Sequence, residues 1–200
     1  TTSQAFTVTV NDTNDAPTVI TLSSFSVNEG SAGGVVGTLA TTDVDAGDSH
    51  TYSLSGTDAS SFEVVSGQLK LKSSVTANYE TKSSYAVTVT ATDSGGLTTA
   101  QAFTVTVNDT PTAIALSATA VNENTAGAVV GTLTTTDSNA GDSHTYSLSG
   151  TDAGSFEVVG GQLKLKSSVT ADYETKSSYA VTVTATDSGG LTTSQAFTVT

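Results

Sequence analysis

Apolar and polar residues alternate along most of the chain, and threonine and valine supply much of the alternation. A period of two is typical of a β-strand with one buried face, and both residues favour strands. In the first half of the chain the pattern predicts seven strands, near residues 18–23, 35–42, 51–55, 62–65, 68–72, 85–92 and 97–107. Glycine, aspartate and serine separate these short strands, which indicates a β-sandwich.

The last two predicted strands of this half give the clearest assignment of a buried face. The residues expected to point into the core are Tyr85, Val87, Val89, Ala91, Phe103, Val105 and Val107. Intervening residues such as Thr88 and Thr90 are expected to face water, because neighbouring side chains of a strand point to opposite faces. Asp93-Ser94-Gly95-Gly96, between the two strands, is predicted to form a hairpin turn.

The chain also repeats itself. Residues 17–106 align without gaps to residues 111–200, and 75 of the 90 aligned positions are identical. The second repeat is therefore predicted to contain the same seven strands, shifted by 94 residues. Residues 1–10 match the last strand of each repeat, so we expect a leftover strand of an upstream repeat within a longer array. The predicted domains are 14–110 and 111–200, preceded by this strand and the start of a linker at 1–13.

Two polar linkers precede the repeats. In Asn11-Asp12-Thr13-Asn14-Asp15-Ala16-Pro17, two carboxylates and two carboxamides fall within five residues. A turn requires only one or two such groups, whereas a hard cation such as calcium is bound by several oxygen ligands. The second linker, Asn108-Asp109-Thr110-Pro111, is shorter by three residues and is interpreted as having lost Asn-Asp-Ala.

Charge and composition narrow the classes of function. The chain carries 19 acidic and 6 basic residues, for a net charge of −13. This balance argues against binding to nucleic acid or insertion among anionic lipids. Without cysteine there are no disulfides, so metal ions are the alternative cross-links for an extracellular protein. No residue pattern resembles a catalytic site, and we do not expect an enzyme.

The remaining acidic residues fall in clusters at predicted strand ends. In the first sandwich, one end is expected to hold Glu29, Asn78 and Glu80 with the outgoing linker, and the other to hold Asp43, Asp45 and Asp93 with the incoming linker. Asp58 and Asp152 are interpreted as turn residues. Glu63 and Glu157 are expected to face solvent. A hard cation would offset the repulsion within each cluster.

These motifs, taken in order, resemble those of tandem cadherin repeats found in large bacterial surface and secreted proteins. Asp12-Thr13-Asn14-Asp15-Ala16-Pro17 resembles the family's Asp-x-Asn-Asp-x-Pro linker, and Asp43-Val44-Asp45 resembles its Asp-x-Asp loop. Asp172-Tyr173-Glu174 resembles its Asp-x-Glu motif, while Asn28-Glu29 and residues 92–96 match the remaining acidic positions. The resemblance implies an all-β fold of two tandem seven-stranded Greek-key sandwiches, cadherin- or immunoglobulin-like, plus the leftover N-terminal strand.

The resemblance also implies Ca²⁺ at the repeat junctions. The ligands it implies are Asn14, Asp15, Asp43, Asp45 and Asp93 at the first junction, Glu29, Asn78, Glu80, Asp109, Asp137, Asn139 and Asp187 at the middle one, and Glu123, Asp172 and Glu174 after the second repeat. Asn78 and Asn139 stand where the family has acids, and the shorter linker is expected to lack a bridging carboxylate. We therefore expect fewer or weaker ions at the middle junction.

The implied function is a calcium-binding structural or adhesive module of a large extracellular or cell-surface protein, such as a bacterial adhesin, with calcium rigidifying the array. The alternative is a binding module for homophilic cell–cell adhesion or for surface polysaccharide, with a second copy or a glycan as partner. The absence of tryptophan gives no support to sugar stacking or to the tryptophan-dependent strand swap of vertebrate cadherins. A spacer is expected to remain monomeric in calcium, whereas a homophilic adhesin self-associates only with calcium.

Overall fold

The computed structural model describes residues 2–200, which form fifteen strands, two short 3-10 turns and no α-helix. The strands of the first repeat are β1 (Val19–Leu22), β2 (Ser26–Asn28), β3 (Val35–Thr42), β4 (Thr51–Ser55), β5 (Phe62–Val65), β6 (Gln68–Leu71), β7 (Ser84–Thr92) and β8 (Thr98–Asn108). Those of the second are β9 (Ala113–Leu116), β10 (Val129–Thr136), β11 (Thr145–Ser149), β12 (Phe156–Val159), β13 (Gln162–Leu165), β14 (Tyr179–Thr186) and β15 (Thr192–Val199). The turns are Ala59–Ser61 and Ala153–Ser155.

Each repeat places its strands in two sheets with Greek-key connections. The paired strands are antiparallel except that β2 runs parallel to β8, where Thr106 N donates to Phe25 O and Glu29 N donates to Asn108 O. In the first repeat the strand orders are β1-β3-β6-β5 and β2-β8-β7-β4. In the second they are β12-β13-β10-β9 and β11-β14-β15. The ladders differ in length, since β9 pairs with β10 over four residues and β15 pairs with β14 over eight. The predicted all-β fold of two tandem sandwiches is confirmed.

Contacts divide the chain into two compact units. The first comprises residues up to Val27, Ser31–Ala77 and Lys82–Thr106, and the second comprises Asn28–Gly30, Asn78–Thr81 and Val107–Thr200. Two short segments of the first sequence repeat therefore belong to the second unit. No helix among residues 2–200 is long and apolar enough to cross a membrane.

The cores form where the alternation predicts them. All seven residues expected to face the first core are buried, from Tyr85 on β7 to Val107 on β8. The threonines between them, Thr88 and Thr90, are partly exposed. Two aromatic rings meet edge to face in each repeat: the centroids of Phe62 and Tyr85 are 5.6 Å apart and those of Phe156 and Tyr179 are 5.9 Å apart. Such rings add to the stabilisation that burial provides.

The sequence pattern missed β2, and the second repeat has no strand in the corresponding place. Beside β2, a Cβ on Gly34 would lie 2.5 Å from Val27 Cγ2, so only glycine permits this approach. The second repeat has Ala128 at that position. There, Val121 N still donates to Thr200 O at 2.9 Å, but residues 120–122 do not form a strand.

The expected leftover strand at the N-terminus is not formed. Residues 2–18 contain no strand, and Phe6, Val8 and Val10 are 82 %, 86 % and 90 % exposed. Thr1, the first residue of the predicted strand, lies outside the described residues. Alternation alone does not make a strand, because strand backbone requires a neighbouring chain to satisfy its hydrogen bonds.

Candidate metal-binding sites

In the first unit, three loops bring carboxylates together. The loop after β3 contributes Asp43 and Asp48, and Asp93 follows the last residue of β7; each offers one oxygen within 4.8 Å of the others. A second group of the same kind consists of Asp12, Asp15 and Asp45. Both β3 and β7 therefore deliver an acidic residue immediately where the strand ends.

The linker before the first repeat docks on this end of the unit. Asn14 Nδ2 donates to Asp93 Oδ2 at 3.0 Å, and Asp15 N donates to Asp45 Oδ2 at 2.7 Å. The turn after β7 accommodates the linker because residue 95 is glycine: a Cβ there would lie 2.5 Å from Asn14 Nδ2. Asp93 also accepts a hydrogen bond from Leu97 N at 2.8 Å, so it closes the hairpin and faces the cluster.

A histidine lies against one aspartate in each repeat. His50 Nε2 is 3.0 Å from Asp43 Oδ2, and His144 Nε2 is 3.0 Å from Asp137 Oδ2. The hydrogen bond from His50, followed by that from the Asp45 backbone, lowers the pKa of Asp43. The carboxylate is therefore ionised at neutral pH and held in one orientation. Sequence reasoning gave neither histidine a role.

The second unit contains the most buried carboxylate of these groups, that of Asp109. Glu29, Glu80 and Asp109 each offer an oxygen within 4.8 Å of the others, and Asp109 is 3 % exposed. Thr110 N donates to Glu29 Oε1 at 2.9 Å, which fixes the glutamate against the linker. Asn28 Nδ2 donates to Gly189 O at 2.8 Å in the same unit.

The loop after β10 forms the other side of this end of the second unit. Asp137, Asp142 and His144 lie within 4.8 Å of one another by their ligand atoms. Asn139 accepts a hydrogen bond from Asp109 N, and Asp187 accepts one from Asn108 Nδ2 at 2.8 Å. The predicted residues of the middle junction are thus brought together, except that Asn78 turns its amide oxygen toward Thr81 N at 2.8 Å.

Hydrogen bonds show which linker residues were lost. Asn108 and Asp109 make the same bonds, to Asp187 and Asn139, that Asn14 and Asp15 make to Asp93 and Asp45. The unmatched residues of the long linker are therefore 11–13, and not the Asn-Asp-Ala that the sequence was interpreted to have lost. Asp109 occupies the position of Asp15, so the carboxylate without a counterpart in the short linker is that of Asp12, and the expected effect on calcium binding stays a prediction.

The far end of the second repeat holds a more exposed group. Glu123, Asp172 and Glu174 each offer an oxygen within 4.8 Å of the others, and all three are exposed. Tyr173 N donates to Glu123 Oε2 at 3.2 Å. The hydroxyl of Thr175 lowers the pKa of Asp172, so this carboxylate is ionised at neutral pH.

Three aspartates at the clusters were not among the predicted ligands: Asp12, Asp48 and Asp142. Asp48 accepts a hydrogen bond from Ser94 N at 3.4 Å, and Asp142 accepts one from Ser188 N at 3.4 Å. The Ser94 and Ser188 contacts lower the pKa of each aspartate. The sequence did contain a sign of Asp48, since it is the third acid of Asp43-Val44-Asp45-Ala46-Gly47-Asp48. The Asp-x-Asp motif includes only the first two acids of that loop.

The donor chemistry fits a hard cation. The clusters offer mainly carboxylate oxygens, and four of the six lysines pair elsewhere, with Asp58, Asp152, Glu63 and Glu157. In the ion pairs among residues 2–200, no lysine neutralises a cluster. Calcium takes six to eight oxygen ligands and tolerates irregular geometry, so these clusters suit it better than they suit zinc, which prefers nitrogen and sulfur.

Comparison with known proteins assigns the fold to a class of structural adhesion modules. The sequence profile of the cadherin domain matches residues 23–108 and 117–200. The chain therefore belongs to the cadherin domain family. No curated protein is significantly similar to it.

Several solved protocadherin structures resemble the chain. Protocadherin gammaB7 EC3-6, described as a cis-dimer, is 24 % identical over 92 % of this chain and 47 % of its own, with a TM-score of 0.39. PcdhgB3 EC1-4 is 26 % identical over 95 % of this chain and 50 % of its own, with a TM-score of 0.40. Human protocadherin-24 EC1-2 is 22 % identical over 94 % of this chain and 98 % of its own, with a TM-score of 0.42. The chain spans about half the length of the first two.

Proposed function

We propose that this chain is a calcium-binding structural and adhesive module of a large extracellular protein, of the bacterial surface adhesin type. Its repeats, 14–110 and 111–200, are joined by linkers at which calcium rigidifies the array. The observation that carries the proposal is the group formed by Glu29, Glu80 and Asp109, whose carboxylates converge within 4.8 Å although Asp109 is buried. Like charges that close repel each other unless a cation offsets them.

The residues that would hold calcium are the predicted ligands together with three further acids. Asn14, Asp15, Asp43, Asp45 and Asp93 serve the first unit, to which we add Asp12 and Asp48. Glu29, Glu80, Asp109, Asp137 and Asp187 serve the second, with Asp142. Bound calcium supplies positive charge to these clusters. The hydrogen bonds from His50 and His144 hold one carboxylate of each set in place.

Thermal unfolding tests the proposal directly. Extracellular modules bind calcium at about 10⁻⁴–10⁻³ M, so roughly 1 mM calcium adds about 0.4–1.4 kcal/mol for each site that only the folded chain forms. We expect a higher Tm in calcium than in chelator, and a smaller increase for Asp109→Asn. Glu63→Gln is the matched control, because Glu63 pairs with Lys70 outside the clusters.

Magnesium separates calcium binding from simple screening of charge. Magnesium prefers near-ideal octahedral geometry and dehydrates reluctantly, so we expect it to raise the Tm less than calcium at equal concentration. Equal Tm values in calcium and chelator, or equal responses of Asp109→Asn and wild type, would contradict the proposal. The acids would then be a solvated surface.

A second proposal is homophilic self-association, which the exposed N-terminal segment favours. Residues 2–9 repeat the sequence of 193–200, where β15 pairs with β14, yet Phe6 and Val8 are more than four-fifths exposed. Unpaired alternating segments are able to add to the sheet edge of a second copy. Sedimentation of wild type and Phe6→Ser/Val8→Ser in calcium tests this: the wild type is expected to self-associate more strongly. Two equally monomeric samples would exclude it, and retention on a polysaccharide column would favour a glycan partner instead.

A further inference from the structure

The short linker of the second unit, residues 107–110, is more completely enclosed than the long one. Asn108 and Asp109 are 6 % and 3 % exposed, whereas Asn14 and Asp15 are exposed. Both pairs make equivalent bonds to the turn and loop beside them. In the second unit Glu29 and Glu80 also lie beside Asp109, which contributes to the burial of the short linker.

The carboxamide of Asn139 adds a further contact with the short linker. Its Oδ1 accepts a hydrogen bond from Asp109 N at 2.6 Å, and its Nδ2 donates to Val107 O at 3.0 Å. The side chain thus binds the linker backbone on both sides of Asn108. Its own backbone is fixed, because Asn139 N donates to Asp137 Oδ1 at 2.8 Å.

The equivalent residue of the first repeat is unable to do the same. Asp45 Oδ2 accepts a hydrogen bond from Asp15 N at 2.7 Å, but a carboxylate, unlike the amide of Asn139, has no N–H to give to a carbonyl. Within residues 2–200, Asp45 makes no second bond to the linker backbone. The exchange of one acid for its amide therefore converts an acceptor into a two-sided clamp.

The rest of the short linker is also bonded to protein atoms. Glu29 N donates to Asn108 O at 2.9 Å, and Thr110 N donates to Glu29 Oε1 at 2.9 Å. The side chain of Asn108 is bonded as well, because its Nδ2 donates a hydrogen bond to Asp187 Oδ2. Together these bonds pair the backbone of this segment with protein atoms.

We propose that Asn139 is a positioning residue that keeps the short linker ordered in the absence of calcium, whereas the long linker depends on calcium for its order. This inference rests on the proposed calcium function only for its second half. The two linkers then respond differently to the same fall in calcium concentration. Residues 12–15 lose their hydrogen bonds to the first unit, whereas residues 107–110 keep theirs to the second. The amide also removes one negative charge from the cluster, which lowers the need for a cation there.

Amide hydrogen exchange of the whole 200-residue chain, resolved by NMR, tests the clamp. In wild type we expect the amides of Asp109 and Thr110 to exchange at similar rates in calcium and in chelator, while that of Asp15 exchanges faster in chelator. Asn139→Asp keeps the acceptor but loses the donor and restores the charge. It should speed exchange at Asp109 in chelator by about fivefold, the effect of one net hydrogen bond, and calcium should reverse it.

Two controls make the outcome decisive. Asn139→Ala removes both bonds, so it should speed exchange at Asp109 in calcium as well as in chelator. The amides of Val181 and Val183, on β14, should keep wild-type protection in every variant, which shows that the sandwich remains folded.

The inference and the proposed function fail in different ways. If calcium strongly slows exchange at Asp109 in wild type, or if Asn139→Asp matches wild type in chelator, the clamp is wrong although calcium binds. If calcium changes neither the Tm nor exchange at Asp15, the calcium function is wrong, and the comparison in chelator still decides the clamp.

Discussion

Asp58 holds the loop after β4 against β7, and Asp152 holds the loop after β11 against β14. Asp58 accepts hydrogen bonds from Ala86 N at 2.8 Å and from Lys82 Nζ at 2.9 Å, and the lysine also lies over the ring of Tyr85. Asp152 makes the same contacts with Ala180 and Lys176. The backbone of Ala86, followed by Lys82, lowers the pKa of Asp58, and Lys176, followed by Ala180, lowers that of Asp152. Both aspartates are structural, beyond the turn role predicted for them.

This lowering of the pKa makes the stability of the protein depend on acid pH. Each aspartate has a pKa below its ordinary value of 3.8 in the folded chain, so the unfolded chain binds protons first as pH falls. Their stabilisation is therefore complete above that value and is lost as pH falls below it. We expect Asp58→Asn/Asp152→Asn to have a lower Tm at pH 7 and a shallower fall in Tm on acidification.

The measurement is Tm by circular dichroism from neutral to acidic pH in chelator. Glu63→Gln/Glu157→Gln is the matched control, because these glutamates pair with lysines on partly exposed strands. An equally steep acid dependence in the aspartate variant and the wild type would show that other carboxylates govern acid unfolding.

Residue identity also limited what the sequence could reveal about the sites. The acidic motifs indicated most of the carboxylates that cluster at strand ends, because the turn after a strand is where such residues occur, and their binding of calcium stays a prediction. The roles of His50 and Asp48 were not visible, since each depends on a contact across a loop. The lost linker residues were misassigned because Asn-Asp occurs twice in the long linker, so the alignment has two equivalent solutions and only the bonds of Asn108 and Asp109 decide between them.

At the scale of elements, alternation predicted every strand of four residues or more in residues 18–107, and the exceptions have physical causes. β2 has three residues, too few to show a period. Residues 2–10 alternate clearly, but a strand also requires a partner, which sequence periodicity does not report. The second repeat lacks β2, and its residues 118–120 read Ala-Thr-Ala where the first repeat has Ser-Phe-Ser, so several differences accompany the loss of this strand, among them Ala128 in place of Gly34.

Substitution of Gly34 tests the close contact between residue 34 and the side chain of Val27 on β2. In Gly34→Ala the added Cβ would lie 2.5 Å from Val27 Cγ2 and 3.1 Å from Ser31 Cβ. Valine has few rotamers with which to move away, so we expect β2 to separate from β8 at a cost of about 1–3 kcal/mol, as in overpacked cores. Urea unfolding measures the cost, and faster exchange of the Val27 amide would report the separation.

Gly154→Ala is the matched control for this substitution, because nothing lies within 4 Å of its added Cβ. We expect that variant to have wild-type stability or slightly more, since alanine reduces the freedom of the unfolded chain. If Gly34→Ala were as stable as Gly154→Ala, the contact with Val27 would not explain why β2 occurs in only one repeat.

At the scale of the whole molecule, the net charge of −13 and the unpaired clusters make folding sensitive to ions of every kind. The Debye length falls from about 30 Å at 0.01 M salt to about 10 Å at 0.1 M, so added salt screens repulsion between separate clusters. In chelator we therefore expect Tm to rise with sodium chloride. With saturating calcium the rise should be smaller, because the repelling charges are already neutralised.

A series of Tm measurements over sodium chloride concentration, with and without calcium, checks this expectation. Potassium chloride serves as the control for a specific effect of sodium. Parallel salt dependences in calcium and chelator would mean that calcium leaves the clusters' charge unchanged.

The unequal ladders of the second repeat carry a mechanical consequence. Its first strand, β9, is held to β10 by four residue pairs, and its last strand, β15, is held to β14 by eight. Because the two strands lie in different sheets, tension applied through the ends of the repeat loads both ladders at once. The shorter one has fewer bonds to share the force, so we expect it to open first. We therefore expect β9, next to Pro111, to limit the resistance of this repeat to pulling, with the buried core giving way afterwards.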